Sequence, residues 1–132
     1  MSLFLDTSGF YALLVETEAD HRSVKRAFGQ AAEAGERLLT TNYVVIETAA
    51  LLQHRIGLAP VRDLDAKIFP LVELVVVDAG LHRKGLERLF RIDRRRVSLV
   101  DAVSFEAMEA EGFTDVLGLD SDFATEGFRL RP

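Results

Sequence analysis

The segment Leu38-Leu39-Thr40-Thr41-Asn42-Tyr43-Val44-Val45-Ile46-Glu47-Thr48-Ala49-Ala50-Leu51-Leu52 changes its hydrophobic period once. Leu38 and Leu39 form a short apolar run, whereas Val45, Ile46, Ala49, Ala50 and Leu52 recur at helical spacing, so the segment predicts a strand that leads into a helix. The same alternation extends to both sides. Apolar runs at Leu3 to Leu5, Leu74 to Val77, Val116 to Leu119 and Phe128 to Leu130 predict the other strands, each near a turn or polar residue. Val24, Ala27, Phe28 and Ala31 mark a helix between the first two strands. Gly35, Gly57 and Gly112 stand where left-handed C-caps are expected, and Pro60 where a helix opens. Strands separated by helices imply βαβ crossovers. The expected fold class is therefore α/β, a three-layer α/β/α sandwich around a mainly parallel five-stranded sheet. Leu74-Val75-Val76-Val77 reads as a continuous apolar strand covered on both faces.

A chain of 132 residues that is 48% hydrophobic and 28% charged suits one compact domain over residues 1–132. Without cysteine, disulfides, thiolate metal sites and a cysteine nucleophile are excluded, so a metal would rest on oxygen or imidazole ligands. The start, Met1-Ser2-Leu3-Phe4-Leu5-Asp6, lacks a basic lead-in, and no apolar run approaches the ~18 residues of a spanning helix. The expectation is a soluble, unexported, cytoplasmic protein. A formal net charge of −5 disfavours a sequence-blind nucleic-acid coat, so a nucleic-acid substrate would need a local basic patch. Arg91, Arg94, Arg95 and Arg96 form the densest such cluster, suited either to RNA phosphates or to the end of the preceding helix.

In open parallel α/β sheets, ligands bind beyond the carboxyl ends of the strands. Asp6 ends the first apolar run, Asp120 follows Val116-Leu117-Gly118-Leu119, and Asp101 opens a helix in Ser98-Leu99-Val100-Asp101. Glu47 stands early in a helix, flanked by apolar residues, a turn too late to cap it. Asp6 also reads as an N-cap, Ser98 with Asp101 as a capping box, and Asp78 as a cap of the helix after it. Carboxylates gathered by the sheet repel one another unless protonated or joined by a cation. Such an oxygen set suits Mg²⁺, with Mn²⁺ as a substitute, and the chemistry natural to it is phosphate-ester cleavage.

Four blocks in order resemble the PIN-domain nucleases, and within them the VapC-type toxins: Phe4-Leu5-Asp6-Thr7-Ser8, Thr41-Asn42-Tyr43 leading to Glu47, Ser98-Leu99-Val100-Asp101-Ala102-Val103-Ser104-Phe105, and Leu119-Asp120-Ser121-Asp122-Phe123. The resemblance spans essentially the whole chain. It implies that Asp6, Glu47, Asp101 and Asp120 form an acidic quartet that binds Mg²⁺ or Mn²⁺ and cuts RNA, leaving a 5′-phosphate and a 3′-hydroxyl. It also makes Asp122 an additional ligand or a partner of the ligands, and Thr7 or Ser8 a hydrogen-bonding partner of a ligating carboxylate. One departure is Gly118, where many relatives carry threonine two residues before the aspartate. Arg94, Arg95 and Arg96 become candidates for RNA contact. The implied partners are an RNA substrate, a small antitoxin whose basic tail would suit the acidic chain, and a second copy in a homodimer.

Other readings weigh less. His21, His54 and His82 fall in separate helical segments without ligand spacing, and neither a G-x-S-x-G elbow nor a P-loop is present. Phe10, Tyr11, Leu14 and Val15 read as a helix face, for the core or for a partner. A phosphoacceptor signalling domain would need a lysine after the last strand, and the chain ends Phe128-Arg129-Leu130-Arg131-Pro132. The remaining alternatives are a catalytically silent PIN-like binding module and a nuclease for other single-stranded nucleic acids.

Overall fold

Leu3, Phe4 and Leu5 are fully buried, and the strand they form, β1 (Ser2–Leu5), is the middle of the sheet. The computed structural model describes residues 1–132. After β1 come α1 (Thr7–Leu14), α2 (His21–Glu33), β2 (Arg37–Thr41), α3 (Asn42–Arg55) and α4 (Leu58–Asp63). A π-helical turn, Leu64–Ile68, and a 3-10 turn, Phe69–Leu71, lead to β3 (Glu73–Val75). The chain continues through α5 (Ala79–Ile92), α6 (Leu99–Glu111), β4 (Asp115–Leu117), α7 (Ser121–Thr125) and β5 (Arg129–Arg131). All strand pairs are parallel, in the order β3-β2-β1-β4-β5. The fold is the expected α/β/α sandwich.

Phe4, Phe10, Phe105, Phe123, Leu52 and Met108 anchor one core, with Phe105 edge-on to Phe123 at 4.8 Å. Phe10 and Val15 are buried in it, while Tyr11 and Leu14 are half-buried. Beneath it, Arg88 is buried among Glu106, Glu109 and Glu126, at 2.7, 2.8 and 3.2 Å, and ties α5 to α6 and α7.

Two local expectations are corrected. The run Leu74 to Val77 is not an interior strand: only Glu73–Val75 pairs, at the sheet edge, with Leu74 and Val76 exposed. Its register explains this, because Val75 lies opposite Thr41, the last residue of β2, and beyond that point Asn42 Oδ1 accepts the Val77 N–H at 2.7 Å. Gly35 and Gly112 adopt the left-handed conformation at helix C-termini, but Gly57 (φ 133°, ψ −164°) takes a region open to glycine and precedes α4 as its N-cap.

Candidate active site

The sheet order reverses between β1 and β4, since β2 and β3 lie on one side and β5 on the other. A crevice therefore opens beyond the carboxyl ends of β1 and β4, where Leu5 pairs with Leu117 and the Asp6 N–H donates to the Leu117 carbonyl at 3.2 Å. Asp6, the first residue after β1, is only 3% exposed. It stands at the N-cap position of α1, but its side chain caps nothing. Ser8 Oγ donates to its Oδ2 at 3.1 Å, and its Oδ1 is buried without any partner. The cap reading of Asp6 therefore fails. Gly118 packs closely here: a Cβ at 118 would stand 3.3 Å from the Asp6 Cβ and 3.2 Å from Ser8 Oγ, a tight fit that those side chains would have to yield to slightly. Ser8, on α1, reaches this junction. Its Oγ also accepts the Leu119 N–H at 2.9 Å.

Asp101 is both a cap and a site residue. In the Ser98 capping box its Oδ2 accepts the Ser98 N–H at 3.0 Å while its own N–H donates to Ser98 Oγ at 3.1 Å, leaving Oδ1 without a hydrogen bond. Asp120 repeats the arrangement: Oδ1 accepts the Asp122 N–H at 2.9 Å at the start of α7, and Oδ2 is unengaged. Thus Asp6, Asp101 and Asp120 each hold one oxygen in place and keep the other available. Glu47, half-buried in the second turn of α3, makes no hydrogen bond. The four acids share an open cleft of about 420 Å³ with Thr7, Ser8 and Ser98. Thr7 is buried and accepts from Thr48 Oγ1 at 3.4 Å, so its hydroxyl is tied to α3.

Electrostatics register the crowding. Burial, then the charge of Asp101 and more weakly that of Asp120, pushes the Asp6 carboxyl up to about 7, against the Thr7 backbone and the Ser8 hydroxyl. Burial also pushes Asp101 up to about 6, opposed by the Ser98 backbone and raised further by Asp120 and Glu47. The orphaned Asp6 oxygen and this mutual repulsion fit a hard divalent cation. No three of the acids close into a ready-made coordination sphere.

Asp122 faces elsewhere. Its buried carboxylate takes Arg96 Nε at 3.3 Å and Arg94 Nη2 at 3.4 Å, and it does not line the cleft. Of the basic cluster, Arg96 lines the cleft, Arg94 joins Asp122 to Glu126, and Arg95 is exposed without an ion pair. Asp78 caps α5 by accepting the Leu81 N–H at 2.8 Å. His21 bonds the Ala12 carbonyl and His82 the Tyr43 hydroxyl, each singly. Sequence reasoning missed Glu18, Leu51 and Arg55 as cleft residues and read Tyr11 as core or interface. The spacing of Glu47, Leu51 and Arg55, one helical turn apart each, is the signal that would have found the last two.

Known proteins share this sequence pattern and fold. The family model for the PIN domain matches residues 3–127. The protein described as 23S rRNA-specific endonuclease VapC20, from two strains of Mycobacterium tuberculosis, is 35% identical over 132 residues, 98% of each chain. The crystal structure of Mycobacterium tuberculosis VapC20, described as a sarcin-ricin loop cleaving toxin, matches with a TM-score of 0.86 over 99% of this chain and 100% of that one, at 35% identity. VapBC2 from Rickettsia felis, crystallised bound to a DNA fragment from its promoter, matches at 12% identity with a TM-score of 0.75, over 99% of this chain and 98% of that one, and shares the fold.

Proposed function

The chain belongs to the PIN-domain family, and on that premise we propose that it is a divalent-metal-dependent endoribonuclease, the toxin of a toxin–antitoxin pair. The observation that carries this reading is Asp6 Oδ1, buried and unpartnered beside Asp101 and Asp120 at the β1–β4 crevice. Asp6, Glu47, Asp101 and Asp120 would hold Mg²⁺, or Mn²⁺ in its place. A bound ion would supply an acidified water and neutralise negative charge at a phosphodiester, chemistry suited to hydrolysis that leaves 5′-phosphate and 3′-hydroxyl ends. The chain's own residues supply orientation: Ser8 holds Asp6, Ser98 holds Asp101, and the Asp122 N–H holds Asp120. On this reading Asp122 would act by pairing with Arg94 and Arg96, and of the basic cluster Arg96, which lines the cleft, would be the one to test for RNA contact.

The relative at 35% identity makes the sarcin-ricin loop of 23S rRNA the first substrate to test. A small antitoxin and a homodimer both need apolar surface, and the exposed Ile46, Leu58, Leu71, Leu74 and Val76 supply it. No helix is long and apolar enough to cross a membrane; a cytoplasmic location is part of the proposal. The test is a map of new 5′ ends across all cellular RNA after induction of the wild type or of Asp101→Asn, without antitoxin. Asparagine keeps an oxygen for the Ser98 N–H, so the capping box and fold survive. Discrete ends in the wild type alone, with one in the sarcin-ricin loop, are the expected result. Identical maps from two folded proteins would identify a silent binding module.

A further inference from the structure

Five carboxylates line the cleft, Asp6, Glu18, Glu47, Asp101 and Asp120, against two cationic side chains, Arg55 and Arg96. A phosphodiester entering this field meets repulsion wherever no cation stands, so each arginine matters to how RNA is held. Arg96 is already committed, with its Nε 3.3 Å from Asp122 Oδ2 and its Nη2 3.4 Å from Asp122 Oδ1. Arg55 is not. It has no carboxylate within 4.0 Å, and its guanidinium rests 5.3 Å from the centre of the Tyr11 ring. The residue ends α3, where a cation offsets the helix dipole, yet its guanidinium bonds none of the last carbonyls. Stacking on an aromatic face restrains a guanidinium and leaves the N–H edge open to a bidentate acceptor.

We propose that Arg55, seated on Tyr11, binds a backbone phosphate of the RNA substrate, so that α3 carries both a metal-site acid, Glu47, and a phosphate-binding cation two turns further on. Tyr11 is the positioning residue: its ring holds the guanidinium at the rim of the cleft before RNA arrives. The inference rests on the ribonuclease reading, and the two fail differently in the following experiment.

Binding of a fluorescein-labelled hairpin RNA carrying the sarcin-ricin loop is measured across a range of salt concentrations. All proteins carry Asp101→Asn, so the RNA stays intact, and cleavage of ribosomal RNA by the otherwise wild-type variants is followed in parallel. Arg55→Gln is expected to weaken binding roughly tenfold and to shrink the slope of log affinity against log salt by about 0.7 to 0.9, the release for one phosphate contact. Arg55→Lys keeps the slope, because the charge remains. Tyr11→Leu weakens binding with the slope unchanged, and Tyr11→Phe restores it. In cleavage, Arg55→Gln raises KM more than it lowers kcat. An unchanged salt slope in a folded Arg55→Gln protein, with the parent binding RNA and the wild type cutting it, overturns the proposal alone and leaves Arg55 as a helix-terminal cation. A wild type that neither binds nor cuts RNA overturns the ribonuclease reading and the proposal with it.

Discussion

Ser8 shows how much of the site depends on one hydroxyl. It donates to Asp6 Oδ2 and accepts the Leu119 N–H, so a single oxygen joins the end of β1 to the segment after β4. Removing it frees Asp6 to turn and leaves an amide unpaired. Ser8→Ala is therefore expected to lower cleavage by roughly 10- to 100-fold, the usual effect of losing a partner that orients a metal ligand. Metal titration followed by activity checks this, and Ser8→Thr, which keeps the hydroxyl, should retain more activity than Ser8→Ala. Full activity in Ser8→Ala would show that burial alone orients Asp6. At this scale the four acids were legible, because strand ends and an apolar helix face make a carboxylate conspicuous. For Asp122 two roles stood open, ligand or partner of a ligand, and the structure shows its N–H on Asp120 and its carboxylate on Arg94 and Arg96, which arrive from a distant loop that local sequence does not reveal. Arg55 was hidden for a similar reason, since its ring partner Tyr11 lies on another helix.

Helix α5 lies against α6 at Gly85, where a Cβ would run into Val103 Cγ2 and stand 3.3 Å from Val103 Cα. The glycine is there for space, in the middle of a helix where it otherwise weakens the fold. Gly85→Ala is expected to cost about 1 to 3 kcal/mol through overpacking, and Val103→Ala in the same chain to return part of that cost. A double-mutant cycle by urea denaturation measures the coupling, and additive effects would place the strain elsewhere. Because α6 carries Asp101, such strain also reaches the site. The alternation of strand and helix was readable because hydrophobic period is a local property of the chain. The place of β3 at the edge was not, because four apolar residues in a row look the same in a central strand and in an edge whose partner ends at Thr41. Element ends shifted for related reasons: β4 stops at Leu117 and Leu119 turns outward, 41% exposed, once the chain bends toward Asp120.

Across the whole molecule, charge is sorted into two regimes with opposite pH dependence. At the amino ends of the strands, the Arg131 hydrogen bond holds Glu36 below the usual carboxylate range. Burial pushes Asp115 up, but Arg129 and Arg131 together hold it below that range. The stability these two contribute is complete above pH 5 and is lost only as pH falls through their lowered values. At the carboxyl ends, burial raises Asp6 to about 7 and Asp101 to about 6, from the 3.8 usual for an aspartate. Between those limits the folded chain binds more protons at these two groups than the unfolded chain, so stability must fall as pH rises from about 4 to about 7. Burial is the largest cause at both groups, so this loss is the cost of ionising carboxylates held away from water. A divalent cation bound to the ionised carboxylates opposes it, by about 2.7 kcal/mol at a hundred times its dissociation constant. In EDTA, the melting temperature is therefore expected to drop from pH 5 to pH 8, with Mg²⁺ or Mn²⁺ restoring it at pH 8 and changing little at pH 5, where protons compete for the same oxygens. Asp6→Asn should flatten the EDTA profile, because it replaces the most strongly raised carboxyl with a neutral group. Differential scanning calorimetry extended down to about pH 3 separates the two regimes, and a metal effect of equal size at pH 5 and pH 8 would show that the ion binds away from Asp6 and Asp101.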